Sequence, residues 1–445
     1  STQSRSSAAS DVYKRQPHGR GTLTVFAREI RAKDDPEGER PWALYLQGGP
    51  GSAGPRPARL SGWLGALAES HRVLLLDQRG TGRSTPATVA TLTAPGAFAT
   101  DEARAEHLVH LRAPSIVRDA EMLRLALGAG PWTTLGQSFG GFCTLSYLSF
   151  HPEGLQRSLV TGGLAPLTGH ADRVYRATYA RMRARTEEFF DRHPADRDAW
   201  SEAVGLIRAA EAAGAPIPLP GGGPLTVGRA QGLGMLLGGN TRVDRLHWVL
   251  AEAVDRTGPA PRLSETFLAA VADQDDRLVN PLYTVLHEAI YAQPADLAGG
   301  RADTGWSASR MLAEHPDFDP EATTVPLPTG EHVMPWSVEV DPRLRPLAGT
   351  ARLLAERTQW GPLYDVAALA QNTVPVAAAV YADDVYVDRD LSLETARRVR
   401  GLQVWETDAF HHDGIADDGP AILDRLLAMT AADGAGTTTA PDPVD

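Results

Sequence analysis

Residues Thr133–Phe150 read TTLGQSFGGFCTLSYLSF: an apolar segment runs into Gly136, Gln137, Ser138, Phe139 and Gly140, and a helical pattern begins at once. A serine enclosed by glycines between a strand and a helix is the pattern of a nucleophile elbow. The glycines permit a sharp turn that presents the hydroxyl at the helix N-terminus. GxSxG alone is a weak signal, so its weight here comes from the strand before it and the helix after it. Ser138 is the candidate nucleophile on that ground.

Working outward, short apolar runs alternate with helical patterns. LTVFAREI (23–30), WALYLQ (42–47), RVLLLD (72–77), WTTLGQ (132–137) and SLVTGG (158–163) read as strands. Between the third and fourth, VRDAEMLRLALGAG places Val117, Met122, Leu123, Leu125, Ala126 and Leu127 on a helix closed by Gly128 and Gly130. This alternation predicts an α/β fold with helices on both faces of the sheet. Over 166–345 the texture changes to successive helical patterns broken by loops rich in Gly and Pro, which reads as an inserted helical cap domain. VPVAAAVYADD and LQVWETDAFHHDG then restore the β pattern, and GPAILDRLLAMTAA closes the chain's ordered part. The expected division is therefore a first core segment at 17–165, the cap at 166–345 and a second core segment at 346–430. Residues 1–16 read as a disordered or artefactual N-terminus and 431–445 as a disordered tail.

The 445 residues are 42% hydrophobic, enough for a large core, and acidic residues outnumber basic ones by 55 to 43, for a net charge of -12. That balance argues against nucleic acid or an anionic membrane as partner. No run approaches the roughly 18 apolar residues of a membrane span, and the first twenty residues lack the apolar core of a signal peptide. Cys143 is the single cysteine, which excludes an internal disulfide and a cysteine-built zinc cluster and fits a reducing cytoplasm. No metal site emerges from the thirteen histidines, and the chemistry read below needs no cofactor.

A serine is a poor nucleophile at neutral pH and needs a base and an acid that orients the base. The elbow architecture supplies them in the order Ser, Asp or Glu, His. Asp383 and Asp384 stand at the end of one late strand, and His411 and His412 follow the next; the residues alone leave open which of each pair serves Ser138. The oxyanion formed on attack needs backbone donors already in place. Phe139 offers one, and LYLQGGPGSAG, with Gly48 and Gly49 just past a strand, offers a second. Asp77 and Arg79 in LLLDQRGTGRS are expected to hold the neighbouring loop by ion pairing.

Three motifs in order, QGGPG (47–51), DQRGTGRS (77–84) and GQSFGG (136–141), make the chain resemble the prolyl aminopeptidases, or proline iminopeptidases, serine peptidases of the α/β-hydrolase superfamily. The first motif of that family normally begins with His, where this chain has Gln47. The resemblance covers most of the two core segments and is looser through the cap. It implies an α/β-hydrolase fold and Ser138 as nucleophile, with Gly49 and Phe139 as oxyanion donors. Counting from the proline that opens the family's penultimate strand implies Asp384 as the acid, ahead of Asp383. His412 is taken as the base over His411 because His-Asp-Gly resembles the turn that follows it.

The resemblance also implies peptide substrates with a free N-terminus, proline preferred, and cap glutamates that bind the amino group. Glu288, among aromatic residues in NPLYTVLHEAIYAQ, is the first candidate and Glu339 the second, with Trp336, Tyr283 and Tyr291 as walls for a proline ring. Two other readings stand beside this one: an esterase or amidase with the same three residues, and a noncatalytic receptor binding a small ligand under the cap.

Overall fold

The structure, a computed structural model, describes residues 22–431 and the backbone of Lys14–Arg15. The expectations for residues 1–13, 16–21 and 432–445 lie outside the described residues. Lys14 and Arg15, expected to be unstructured, form a two-residue strand antiparallel to Thr22–Leu23.

Seven strands make the central sheet: β1 (Phe26–Ile30), β2 (Trp42–Leu46), β3 (Arg72–Asp77), β4 (Trp132–Gln137), β5 (Leu155–Thr161), β6 (Val376–Tyr381) and β7 (Leu402–Thr407). Their spatial order is β7-β6-β5-β4-β2-β3-β1. Only β1 runs antiparallel to its neighbour, with Phe26 opposite Asp77; all other pairs are parallel. A parallel sheet is buried on both faces, so its strands read as near-continuous apolar runs, and all six residues of β6, VAAAVY, are buried.

The period-two alternation of side chains sorts each strand between two cores. Leu44, Leu46, Leu74 and Leu76 join one core with Phe139 and Phe142, whereas Ala43, Tyr45, Val73 and Leu75 join the other. The second core is covered by helices α1 (Gly62–Ala68) and α9 (Gly414–Ala431) through Leu64, Leu67, Ile422 and Leu426. The first is covered by α2 (Ala113–Ala126) and α3 (Phe139–Phe150). Each buried Leu or Phe contributes about 1.5–3 kcal/mol, so this double-sided burial supplies the main drive for the fold.

Helix α2 buries Val117 and Leu123 of its apolar set, but not the whole set. Leu125 is exposed and Ala126 too, while Glu121 and Arg124 are buried. Arg124 pairs with Glu121 at 2.5 Å, and the buried Tyr147 hydroxyl donates to Glu121 at 2.8 Å. A satisfied polar network thus takes the inner face from two apolar side chains.

The sheet stops at Thr161 and resumes at Val376. Between them lie α4 (Ala171–Arg192), α5 (Pro194–Ala212), α6 (Arg242–Ala251), α7 (Glu265–Val279) and shorter helices, and between β6 and β7 runs α8 (Arg389–Arg398). The helical texture continues past residue 345: helix Ala348–Ala355 packs on helix Asp101–Val109, with the Thr350 hydroxyl donating to Asp101 at 2.6 Å.

Two glycines give contrasting expectations for thermal unfolding. A Cβ on Gly140, in the first turn of α3, would lie 1.9 Å from the Leu46 carbonyl oxygen. This is a backbone clash that no side-chain rotation relieves, so Gly140→Ala should cost about 3 kcal/mol or more. Gly205 sits exposed in α5 with open space around it, and Gly205→Ala should stabilise by about 0.5–1 kcal/mol. Equal melting points for the two variants would contradict this packing.

Candidate active site

Ser138 is the junction residue between β4 and α3. Its backbone is at φ 54° and ψ -125°, a conformation that L-residues adopt only when the surroundings enforce it. The enforcement comes from glycines. A side chain on Gly136 would meet the Gly140 carbonyl at 2.4 Å, one on Gly141 the Gly163 carbonyl at 2.3 Å, and one on Gly163 the Ser138 carbonyl at 2.5 Å. The Ser138 N–H donates to the Thr161 carbonyl at 3.0 Å, fastening the elbow to the end of β5.

The turn after β6 and the turn after β7 converge on this serine. Ser138 Oγ donates to His412 Nε2 at 2.9 Å, and His412 Nδ1 donates to Asp384 Oδ2 at 2.8 Å. Asp384 is itself held by the backbone, its Oδ1 accepting from Tyr386 N at 2.8 Å and Val387 N at 3.0 Å. All three side chains are buried. Asp383 is exposed, and His411 Nδ1 donates only to its carbonyl, at 3.3 Å. The structure therefore brings together Ser138, His412 and Asp384 and leaves the other member of each pair outside. Gly162, at φ +52°, packs beside the pair; a Cβ there would lie 3.3 Å from both His412 Nδ1 and Asp384 Oδ2.

Gly48 abuts the serine, its missing Cβ lying 3.1 Å from Ser138 Cβ, and Gly49 follows at φ +141°. Among the described residues the N–H groups of Gly49 and Phe139 donate to no protein acceptor. Phe139 also opens a twelve-residue helix, whose N-terminal dipole favours negative charge. The loops around them are fixed by Asp77 and Arg79, though not as a mutual pair. Asp77 accepts from the N–H of Gly54 at 3.0 Å and of Arg83 at 2.8 Å. Arg79 instead forms a buried bidentate pair with Asp119.

The two glutamates expected to bind an amino group lie elsewhere. Glu339 is exposed on the short helix Ser337–Val340. Glu288 is buried, but its Oε1 accepts from Ala308 N at 3.0 Å, and it borders a small separate cavity with Thr304, Trp306 and Leu354. Burial pushes its carboxyl above the usual range. Of the aromatic neighbours that had marked it out, Tyr291 is core, packing against Phe142 and Tyr175.

The carboxylate that does reach the site is Glu331, in the irregular stretch VPLPTGEHVMPW. Its Oε1 accepts from the Tyr283 hydroxyl at 3.1 Å, and it borders a cavity with Tyr283 and Trp336. Nothing periodic marks this position; the available signal is an isolated acid in an otherwise apolar, Pro- and Gly-rich loop.

The α/β hydrolase fold family matches residues 41–285. A proline iminopeptidase from Aeromonas sobria is 41% identical over 415 residues, spanning 93% of each chain. The chain belongs to the proline iminopeptidase family of α/β hydrolases. A second member, the proline iminopeptidase aneH of Aspergillus aculeatus, is 33% identical over 423 residues, covering 92% of this chain and 89% of that one. As in the family at large, the enzyme is a serine hydrolase, and no described helix is long and apolar enough to cross a membrane.

In this iminopeptidase-family site, charged neighbours act on the imidazole that faces Ser138. Burial alone would depress the His412 imidazole, but the bonded Asp384 carboxylate outweighs it. With Asp413 and Glu331 adding to that pull, the imidazole is pushed up to about 9. Burial pushes the Glu331 carboxyl up to about 7, against the opposing pull of His412 and the Tyr283 hydroxyl. A base must be neutral to accept a proton. The rate of Ser138 labelling by a fluorophosphonate should therefore rise with pH through about 9 as His412 loses its proton. Glu331→Gln removes a negative charge facing the imidazole and should move the midpoint downward, and Ser138→Ala should not be labelled. A rate flat from about pH 6 to pH 10 would count against His412 as the base.

Proposed function

We propose that this enzyme is a serine aminopeptidase that releases an N-terminal residue, proline foremost, from peptides through an acyl-enzyme. The observation that carries the reading is the buried Ser138–His412–Asp384 relay with the Glu331 carboxylate beside it. The proline iminopeptidase relatives support the choice of substrate.

In this mechanism His412 takes the Ser138 proton as the oxygen attacks the first peptide carbonyl. The N–H groups of Gly49 and Phe139 receive the oxyanion, and Asp384 stabilises the imidazolium and fixes its orientation. The protonated imidazole then passes its proton to the departing peptide nitrogen, the C–N bond breaks and the acyl-enzyme remains. Water loses a proton to His412, attacks the ester carbonyl and frees the amino acid, returning the proton to Ser138.

An aminopeptidase must also hold a charged amino terminus, and a desolvated ammonium needs a carboxylate partner to offset its lost hydration. We assign that role to Glu331, in place of Glu288 and Glu339. A carboxyl poised at about 7 is unhappy as an isolated anion in its pocket, and an arriving ammonium supplies the missing counter-charge. The peptide's free N-terminus is then the recognised feature. No metal or cofactor enters these steps. The single cysteine is buried, and a reducing cytoplasm suits such a chain.

Chromogenic arylamides test this reading. Free prolyl arylamide should be hydrolysed at least about a hundredfold faster, in kcat/KM, than its N-acetyl form, because blocking abolishes the charge pair. Faster turnover of blocked amides or simple acyl esters would instead identify an esterase or amidase. Glu331→Gln should raise KM for free-amine substrates about ten- to a hundredfold above pH 7. In the wild type the same KM should climb as pH falls through about 7 and Glu331 takes up a proton, a dependence the variant should lack.

A further inference from the structure

Away from the catalytic relay, three metal-ligating side chains converge at a corner of the cap. His193 ends α4 and opens α5, Asp196 stands in the first turn of α5, and His247 lies on α6. One ligand atom from each lies within 4.8 Å of the other two. The two imidazole rings stack with centroids 4.2 Å apart and planes 22° apart, and Asp196 Oδ2 accepts from His247 Nδ1 at 2.8 Å. No spacing in the sequence marks the group, because only the packing of α6 on α5 brings His247 to the corner.

Two observations set this cluster apart from an ordinary histidine–aspartate pair. Asp196 is 2% exposed, yet His247 supplies the only hydrogen bond its carboxylate makes among the described residues. A carboxylate offers about four lone-pair sites, and a buried one is normally paired or fully hydrogen-bonded. No guanidinium fills the gap: Arg197, the next residue, pairs instead with Glu187 at 2.6 Å. The second observation is the His193 imidazole, which has no hydrogen-bond partner among the described residues. It packs between the Phe189 ring, 5.3 Å away, and the His247 ring, beside a carboxylate to which it is not bonded.

We propose that His193, Asp196 and His247 form an exchangeable zinc site, with water as the fourth ligand, that clamps the α4–α5 corner to α6. Two imidazole nitrogens and a carboxylate oxygen are a donor set for late first-row divalent ions, whereas Mg²⁺ and Ca²⁺ favour shells made of oxygen. With bonds of about 2.0–2.2 Å in tetrahedral geometry, the ligand atoms of one Zn²⁺ stand about 3.4 Å apart. The 2.8 Å between His247 and Asp196 and the 4.8 Å limit for the whole set bracket that spacing. The ion takes the Nδ1 lone pair of His247, whose ring proton moves to Nε2, and one lone pair each from His193 and Asp196. A single hydrogen bond thus gives way to three ligand bonds, and the dication supplies the counter-charge that Asp196 lacks. Both histidines are half-buried and Pro194 and Ala195 beside them are exposed, so the ion and its water enter from solvent. The open fourth position lets a chelator remove the ion. This site belongs to the cap alone and is independent of the substrate reading above.

The test uses the full chain without a polyhistidine tag, stripped with EDTA and titrated calorimetrically with zinc chloride. About one ion per chain should bind, and His193→Gln and His247→Gln should each weaken binding at least about a hundredfold. Saturating zinc should raise the wild-type melting temperature by at least about 2 °C, EDTA should reverse the rise, and neither variant should show it. Because the His193 imidazole makes no hydrogen bond, His193→Gln should melt with the metal-free wild type, which separates loss of a ligand from loss of the fold. Cobalt(II) in place of zinc reads the coordination without any variant: the strong visible bands of a tetrahedral ion are expected, and the weak spectrum of an octahedral one overturns the site. Absence of zinc binding by the wild type overturns the proposal. So does binding that survives in either variant, or magnesium chloride bound with the affinity of zinc.

Discussion

The site depends on one close approach of backbone to backbone. Helix α3 begins within van der Waals reach of β2, where Gly140 leaves no room for a side chain beneath the Leu46 carbonyl. Because the helix cannot withdraw, Ser138 is held at a positive φ, its hydroxyl lifted off the sheet and its neighbour Phe139 placed at the helix N-terminus. Strain of this kind persists only where the surrounding structure over-determines it. Here the glycines at 136, 140, 141 and 163 interlock with two strands and with the serine's own carbonyl. The nucleophile is aimed by the packing of the sheet, and its hydrogen bond to His412 inherits that aim.

The same logic explains how much of the molecule could be read from residues alone. Strands β2 to β6 are buried on both faces, so their apolar runs are hard to misread, and the glycine spacing around Ser138 records its turn directly. The order of acid and base along the chain follows from topology. The residues alone left Asp383 and Asp384 open and the family resemblance favoured Asp384; the structure supplies the physical reason, since Asp384 is the carboxylate that meets the N–H groups of Tyr386 and Val387. Glu331 was invisible for a related reason. It lies in a loop with no period, and its importance comes from His412, which sits 81 residues farther along. Glu288 was misleading because a buried carboxylate among aromatic rings has two physical explanations, a ligand site or a hydrogen bond to a helix N-terminus. Sequence cannot separate them; in the structure one oxygen accepts from the Ala308 N–H and the other has no partner.

Helix α2 formed where its pattern placed it, yet Leu125 and Ala126 stayed outside for another reason. Hydrophobic periodicity assumes that polar side chains face water, but Glu121 and Arg124 satisfy one another and Tyr147 inside the protein. The active site uses the same exception more purposefully. Asp384 and Glu331 both bear on one imidazole, and their electrostatic pull outweighs the cost of burying its charged form. A charge-poor interior around the relay would give a weaker proton acceptor, so the acidic character of this region is a property of the chemistry as well as of the composition.

Tyr386 ties two of these parts together. It belongs to the turn whose N–H groups hold Asp384, yet its hydroxyl binds the Met235 carbonyl and its ring fills the space beside Gly238, where a Cβ would come within 2.2 Å. The segment that orients the catalytic acid is therefore also a keystone of the helical roof. The roof is consequently a poor interchangeable module: a cap transplanted from a relative would need the 384–387 turn to travel with it, or the acid would lose its alignment. Cap packing and the alignment of the catalytic acid are joined through one residue, so substitutions in the roof around Tyr386 and substitutions in the acid's turn are constrained together.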